Sequence, residues 1–256
     1  MLLRSFLLSL WLIVTLALLY KLKWSIIISL WSILRSLPAG GCLAHLIIGF
    51  IFLPSILMHE ISHAIVAKLA GSEIVAISLF PEETEQRLTL GYVEHRGADE
   101  MFLGLVGMAP LFMGSMIVTL LLRYGFSISW SLLLDNPGRL TSTIAKVAGL
   151  ILSRRSPIML YLLFAFGNGS MPSYSDWRYW GRTLAILTIC CLAIGIVMSQ
   201  VAPNTIYIER WLSILSMLIV EFTMICAMNV LIYSLLVFPA ALIGHCLLYT
   251  SPSPRD

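Results

Sequence analysis

The most restrictive feature of this sequence is the length of its apolar runs. Hydrophobic residues make up 59% of the 256 positions and charged residues only 11%, whereas soluble domains have about 45–50% and about 25%. A helix needs roughly 20 apolar residues to cross a bilayer. In chain order the apolar runs cover residues 5–20, 24–34, 42–69, 101–122, 157–166, 184–201 and 211–236. The sequence therefore predicts an all-α, multi-pass integral membrane protein with about five or six transmembrane segments.

The two ends of the sequence need separate treatment. Residues 1–40 are expected to form N-terminal anchor segments, because no small-residue cleavage site follows the first run as it would in a signal peptide. Lys21 and Lys23 leave two readings of this region, one long helix or two shorter pieces. Residues 246–256 resemble a translated sequencing adapter, so we exclude them from fold reasoning and expect the natural C-terminus to be missing.

Between two of the membrane runs the sequence changes character. Residues 73–80 and 88–95 are rich in strand-forming residues and flank a polar stretch, which predicts a small β-hairpin at the membrane surface. Residues 123–156 contain two apolar pieces separated by a polar turn, a pattern that fits helices lying in the membrane interface.

A His-Glu-x-x-His motif lies inside the apolar run 42–69. His59 and His63 are four residues apart and so lie on one face of a helix, where both imidazoles can bind one metal ion. Glu60 is near enough to take a proton from a water on that metal, as in zinc hydrolases. Each charged residue at mid-bilayer costs about 2.5–3.5 kcal/mol. Because of this cost, we favour a functional role for His59, Glu60 and His63. The alternative is a polar cluster between helices that contributes only to packing.

A catalytic zinc usually has three protein ligands and one water. Asp176 is the first candidate for the third ligand, because it ends a Gly- and Pro-rich break, residues 167–176, that follows an apolar run. A broken backbone at membrane depth requires protein or water around it. A helix cap before Trp177 explains this aspartate equally well. Asp135 is a reserve ligand, although its Asp-Asn-Pro-Gly setting is typical of a β-turn.

The order of these motifs resembles that of the site-2 protease group of intramembrane zinc metalloproteases, in a divergent branch. Members of that group pair HExxH on one membrane helix with a distant Asn…Pro…Asp element on a later one. Here residues 59–63 form the first motif, and Asn168, Pro172 and Asp176 follow. The resemblance covers residues 54–178. One position departs from the family pattern. The residue after the late aspartate is usually a glycine, but here it is Trp177.

The resemblance implies a role for each of these residues. His59, His63 and Asp176 would bind one Zn²⁺ ion, Glu60 would be the general base, and Asn168 would polarise the substrate carbonyl. The core would span residues 41–182, and transmembrane helices would follow in residues 183–245. The implied activity is zinc-dependent cleavage of a membrane-protein substrate in or near the bilayer, and the location is the plasma membrane of a prokaryote.

Two other function classes stay open. One is a non-catalytic scaffold or chaperone that keeps the fold, which an intact Glu60 disfavours. The other is a metal-binding transporter, which would favour repeated halves that this sequence lacks. The net charge of +3 is scattered without a basic patch, so nucleic acid is not an expected partner. The cations are nearly balanced between the predicted sides, six against five, so they do not fix the orientation.

The sequence also suggests roles for three other polar residues, Glu221, Glu94 and His95. Glu221 lies inside a membrane run, and we expect it to be protonated and hydrogen-bonded to Thr223 or to a neighbouring helix. Glu94 and His95 could reach the metal site from the second strand. The edge 88–94 of that strand could hold an extended substrate by β-augmentation.

Overall fold

The computed structural model describes residues 2–37, 40–80, 82–84, 87–97, 100–133, 139–154, 156–173, 175–178 and 205–250. The helices are α1 (Leu2–Arg35), α2 (Gly40–Leu69), α3 (Glu100–Leu120), α4 (Trp130–Leu133), α5 (Leu140–Arg154), α6 (Pro157–Gly169) and α7 (Thr205–Thr250). One π-helical turn, Leu121–Gly125, continues α3. Asp135 and the apolar run 184–201 fall outside the described residues.

Four helices are long and apolar enough to cross a membrane: Phe6–Arg35, Leu43–Leu69, Phe102–Gly125 and Arg210–Val237. They confirm the prediction of a mostly helical chain with several helices that could span a membrane. The predicted count of five or six segments is not confirmed, because the described part of the chain contains four such helices. The run 157–166 lies in α6, whose 13 residues are too few to span a bilayer alone.

The region around Lys21 and Lys23 is one continuous helix, which decides between the two readings left open by the sequence. Helix α1 runs through both lysines and packs along α7 and α2. Its first half belongs to an apolar core with α3, α5, α6 and α7, and its second half to a core with α2 and α6. The two lysines therefore do not end the helix, because packing on both sides stabilises it.

Helix α2 ends in a Schellman motif, as the glycine at position 71 predicts. Gly71 has φ +80°, a conformation that glycine adopts without a steric penalty. The Ser72 amide donates to the Ala67 carbonyl (2.9 Å), and the Gly71 amide donates to Lys68 (3.1 Å). The chain then turns directly into a strand.

The predicted hairpin is present, but it forms two successive ladders. Strand β1 (Glu73–Ser78) pairs antiparallel with β4 (Tyr92–Arg96), and β2 (Glu82–Thr84) pairs with β3 (Arg87–Thr89). A bulge lies between Ile74 and Ala76. The predicted second strand, residues 88–95, is thus divided between β3 and β4. Both β1 and β4 lie against α2, which places the sheet beside the HExxH motif.

Candidate metal centre

The C-terminal half of α2 carries the HExxH residues into the protein interior. His59, Glu60 and His63 are all buried. The two imidazole rings meet edge to face, with centroids 4.7 Å apart, and their Nε2 atoms are 3.2 Å from each other. The helical spacing therefore brings the two rings together as the sequence predicts.

Backbone carbonyls from two other helices fix both rings. His59 Nδ1 lies 2.8 Å from the Gly169 carbonyl oxygen of α6, and His63 Nδ1 lies 2.8 Å from that of Val106 in α3. A carbonyl oxygen only accepts hydrogen bonds, so each Nδ1 must carry the hydrogen. In the neutral imidazole, the Nε2 atoms then present lone pairs. Such an outer hydrogen bond fixes the tautomer and the orientation of metal-binding histidines.

Asp176 completes the group. Its Oδ2 atom is 3.4 Å from His59 Nε2, and its Oδ1 atom is 3.3 Å from His63 Nε2. Burial disfavours the charged carboxylate, but the contacts with His59 and His63 outweigh this and hold the pKa of Asp176 well below its usual range. Three electron-pair donors thus point at one another within 4.8 Å. Such a group is stabilised by a cation between them, and these three residues can hold a metal ion.

The same aspartate also caps a helical turn. The Ser173 amide donates to Asp176 Oδ2 (2.6 Å), and the Asp176 amide donates to Ser173 Oγ (3.4 Å). This reciprocal pair is a capping box at the start of the turn 175–178. The two explanations of Asp176 that the sequence left open are therefore compatible, because the cap holds the carboxylate toward the histidines.

Two cavities meet at the site. One has a volume of about 860 Å³ and the other about 210 Å³. Both are lined by His59, Glu60, Gly91, Ser173 and Ser175, whereas Asp176 and His63 line the smaller one only. Glu60 thus lines both the cavity that contains the ligand group and the larger cavity beside it.

Gly91 lets the sheet approach this acid. A Cβ atom at position 91 would lie 3.1 Å from Glu60 Oε1 and 2.9 Å from both Ile56 Cγ2 and the Ser78 carbonyl oxygen. Contacts this short leave no room for a side chain. The junction between the two ladders therefore packs directly on the motif helix.

Asn168 is fully buried near the end of α6, and its amide is engaged. Its Nδ2 atom donates to the Phe164 carbonyl oxygen (2.8 Å) and to Asn229 Oδ1 (3.0 Å). Its Oδ1 atom accepts from Asn229 Nδ2 of α7 (2.9 Å). Asn168 is not among the described residues that line the two cavities. Its implied role at the substrate carbonyl stays a prediction.

Of the remaining polar candidates, some lie at the site and others lie between helices away from it. His95 lines the smaller cavity, while Glu94 points outward from the next position of β4. Glu221 is buried and hydrogen-bonded to Thr119 of α3, the neighbouring-helix contact that we expected. The Thr223 hydroxyl has no hydrogen-bond partner in the described part of the chain.

Sequence reasoning missed one buried cation beside the site. Lys23 of α1 is only 6% exposed and lines the larger cavity together with His59 and Glu60. Its Nζ atom donates to the Met171 carbonyl oxygen (3.3 Å). The signal in the sequence is a lysine inside an apolar run, which by itself indicates only a possible boundary between helices.

Comparisons with known proteins add no relative. No family model matches the chain, and neither the curated proteins nor the solved structures contain a match. The similarity to the site-2 protease group therefore rests on the order and spacing of the motifs alone.

Proposed function

We propose that this chain is a zinc-dependent endopeptidase embedded in the membrane, which cleaves a peptide bond of a membrane protein in or near the bilayer. The observation that carries the proposal is the convergence of His59 Nε2, His63 Nε2 and the Asp176 carboxylate beside Glu60. These ligands come from two distant parts of the chain, and three helices position them.

The ligand set favours zinc with a catalytic role. Two imidazoles and one carboxylate are a common catalytic zinc set, which leaves the fourth position open. A structural zinc site would instead be closed by a fourth protein ligand, and in the described residues the group has three members. The two cavities at the site provide the space that an open position requires.

The residues of the chain have distinct tasks in peptide hydrolysis. When bound, zinc would supply a Lewis acid that acidifies a water molecule and polarises the scissile carbonyl. The Glu60 carboxylate accepts the proton of the attacking water and returns it to the leaving amine. The carbonyl oxygens of Gly169 and Val106 hold the His59 and His63 rings so that Nε2 faces the metal. Asp176 supplies the negative charge.

The sheet gives this chemistry a way to bind an extended substrate. Helical peptides hide their amide groups, so cleavage requires an extended segment. Strand β4 pairs with β1 on one edge and has no strand on its other edge among the described residues. Residues 91–93 and His95 line the smaller cavity beside the ligand group. This arrangement supports β-augmentation by a substrate along β4.

The first experiment measures zinc in the 256-residue protein purified in detergent. We expect about one zinc per chain, which is lost in Asp176→Ala and His59→Ala. His95→Ala is the matched control, because His95 lines the same cavity but is outside the ligand group. Asp176→Asn separates the two roles of this residue: its amide oxygen can still accept from Ser173, but the charged ligand is absent. We expect it to melt like the metal-free parent and to lose zinc.

Activity is measured on the same samples. Glu60→Gln should keep the zinc and lose cleavage of co-reconstituted membrane-protein segments by about 10²–10⁴-fold, the usual contribution of a general acid–base group. Zinc retained in Asp176→Ala would show that the third ligand is another residue. A folded parent without zinc would contradict the proposal and favour a scaffold. Full cleavage in Glu60→Gln would contradict the role of Glu60 as the general base.

A further inference from the structure

Lys23 is a buried cation in the wall of the larger cavity. Lys23 lies in the middle of an apolar membrane helix, and its side chain is nearly inaccessible to water. An ammonium group has three hydrogens to donate. Lys23 makes one hydrogen bond, to the Met171 carbonyl oxygen at 3.3 Å, and no second acceptor bonds to it in the described part of the chain. A buried cation in this state is costly unless an anion joins it.

The nearby acids already have partners or tasks. Lys23 interacts electrostatically with Asp176 and Glu60. Asp176, however, faces the two histidines, and Glu60 is the proposed base. Among the charged residues that line the larger cavity, Lys21 and Lys23 are basic and Glu60 is acidic. Of the two lysines only Lys23 is buried, so the buried positive charge of this cavity is on the side of α1.

The walls of the cavity indicate what kind of anion fits. Ile27, Ile28, Ile56 and Leu90 give it apolar surfaces, and four serines add hydroxyl groups. The volume of about 860 Å³ is in the range of sites that bind small organic ligands, enough for a few residues of a peptide. A phosphate group usually binds several arginines or a helix N-terminus. One buried ammonium among apolar walls matches a single carboxylate on an apolar peptide.

We propose that Lys23 is a specificity residue that binds a carboxylate of the substrate in the larger cavity, either the C-terminal carboxylate or an Asp or Glu side chain. The inference rests on the proposed function insofar as it takes the ligand to be the peptide that is cleaved. Helix α1 then takes part in substrate selection, in addition to packing against α2 and α7.

The test uses the zinc-loaded 256-residue Glu60→Gln protein in nanodiscs and fluorescent apolar ten-residue peptides. Four peptides combine a C-terminal acid or amide with an internal Asp or Asn. We expect one carboxylate to tighten binding by roughly tenfold or more, as a desolvated ion pair does. The acid–amide pair reports a C-terminal carboxylate, and the Asp–Asn pair reports a side chain. Lys23→Met should abolish the preference and Lys23→Arg should keep it.

Lys21→Met is the matched control, because Lys21 lines the same cavity but is exposed; it should keep the preference. The inference is overturned if acid and neutral peptides bind alike, or if Lys23→Met retains the preference. It is also overturned if Lys23→Met loses zinc. Lys23 would then have a structural role and hold the segment before Asp176 in place through its hydrogen bond to Met171.

Cleavage of the same peptides by the protein with Glu60 keeps the two proposals apart. Cleavage without a carboxylate preference would remove the inference and leave the proposed function. A preference that depends on Lys23, without any cleavage, would support the carboxylate subsite and remove the proteolytic function.

Discussion

At the scale of single residues, Asn168 and Asn229 form a closed pair of buried amides. Each Nδ2 donates to the Oδ1 of the other, and the second hydrogen of Asn168 goes to the Phe164 carbonyl oxygen. Both side chains are fully buried. To donate to a substrate carbonyl, Asn168 would have to give up one of these bonds. The hydrogen bonds favour a structural role for this pair, in which it holds α6 against α7.

This role predicts how the pair responds to substitution. Asn229→Leu leaves Asn168 partly unpaired and should lower the free energy of unfolding by about 1–3 kcal/mol. The double variant Asn168→Leu/Asn229→Leu removes both polar groups and should recover most of this loss, measured by unfolding in mixed detergent. We expect the double variant to keep its zinc and to cleave within about tenfold of the parent. A loss of roughly 10²–10³-fold with zinc retained would instead place Asn168 at the substrate carbonyl.

At the scale of elements, the approach of α6 to α2 sets the geometry of the first histidine. A Cβ atom at Gly169 would lie 2.8 Å from the Ser55 carbonyl oxygen and 2.7 Å from Met58 Cε. One of these neighbours is backbone and cannot move aside. Small residues allow membrane helices to approach closely, and this contact brings the Gly169 carbonyl to His59 Nδ1.

Gly169→Ala should therefore push α6 away from α2 and weaken the hydrogen bond to His59. We expect zinc affinity to fall by about 10–100-fold, the usual effect of losing such an outer contact, in a competition titration with a chelator. Gly149→Ala in α5 is the matched control, since a Cβ there meets no atom within 4 Å; it should leave affinity unchanged. Equal affinities in the two variants would show that the Gly169 carbonyl does not orient His59.

The same elements show what the sequence could predict and what it could not. The pairing of His59 with His63 follows from helical periodicity alone, which is why the motif is informative without a structure. The sequence reasoning began the break after α6 at Gly167, but the helix continues to Gly169. Gly167 is there for packing, because a Cβ at that position would lie 2.7 Å from Ile225 of α7. Asn229 pairs with a residue 61 positions away, so no local pattern identifies it. Lys23 is conspicuous inside an apolar run, but its hydrogen-bond partner Met171 is 148 positions away and only the fold reveals it.

At the scale of the whole molecule, the candidate metal group lies nearer to the sheet end of α2 than to the end that follows α1. His59 and His63 are in the C-terminal half of α2, and the sheet begins four residues after that helix ends. The turn between α1 and α2 lies at the opposite end of the same helix. If α2 spans the bilayer, Ser36 and Glu73 must be on different sides. Both residues are exposed, which makes them suitable for labelling.

Single cysteines at these positions, in a variant without the five native cysteines, test this arrangement. A membrane-impermeant maleimide should label Ser36→Cys in one vesicle orientation and Glu73→Cys in the opposite orientation. Ala44→Cys is the control, because Ala44 is fully buried and should stay unlabelled in both. Labelling of both exposed positions from the same side would contradict a spanning α2, and with it a site within the bilayer. The compartment that labels Glu73→Cys is the one nearer the metal group, which the balanced surface cations leave undecided.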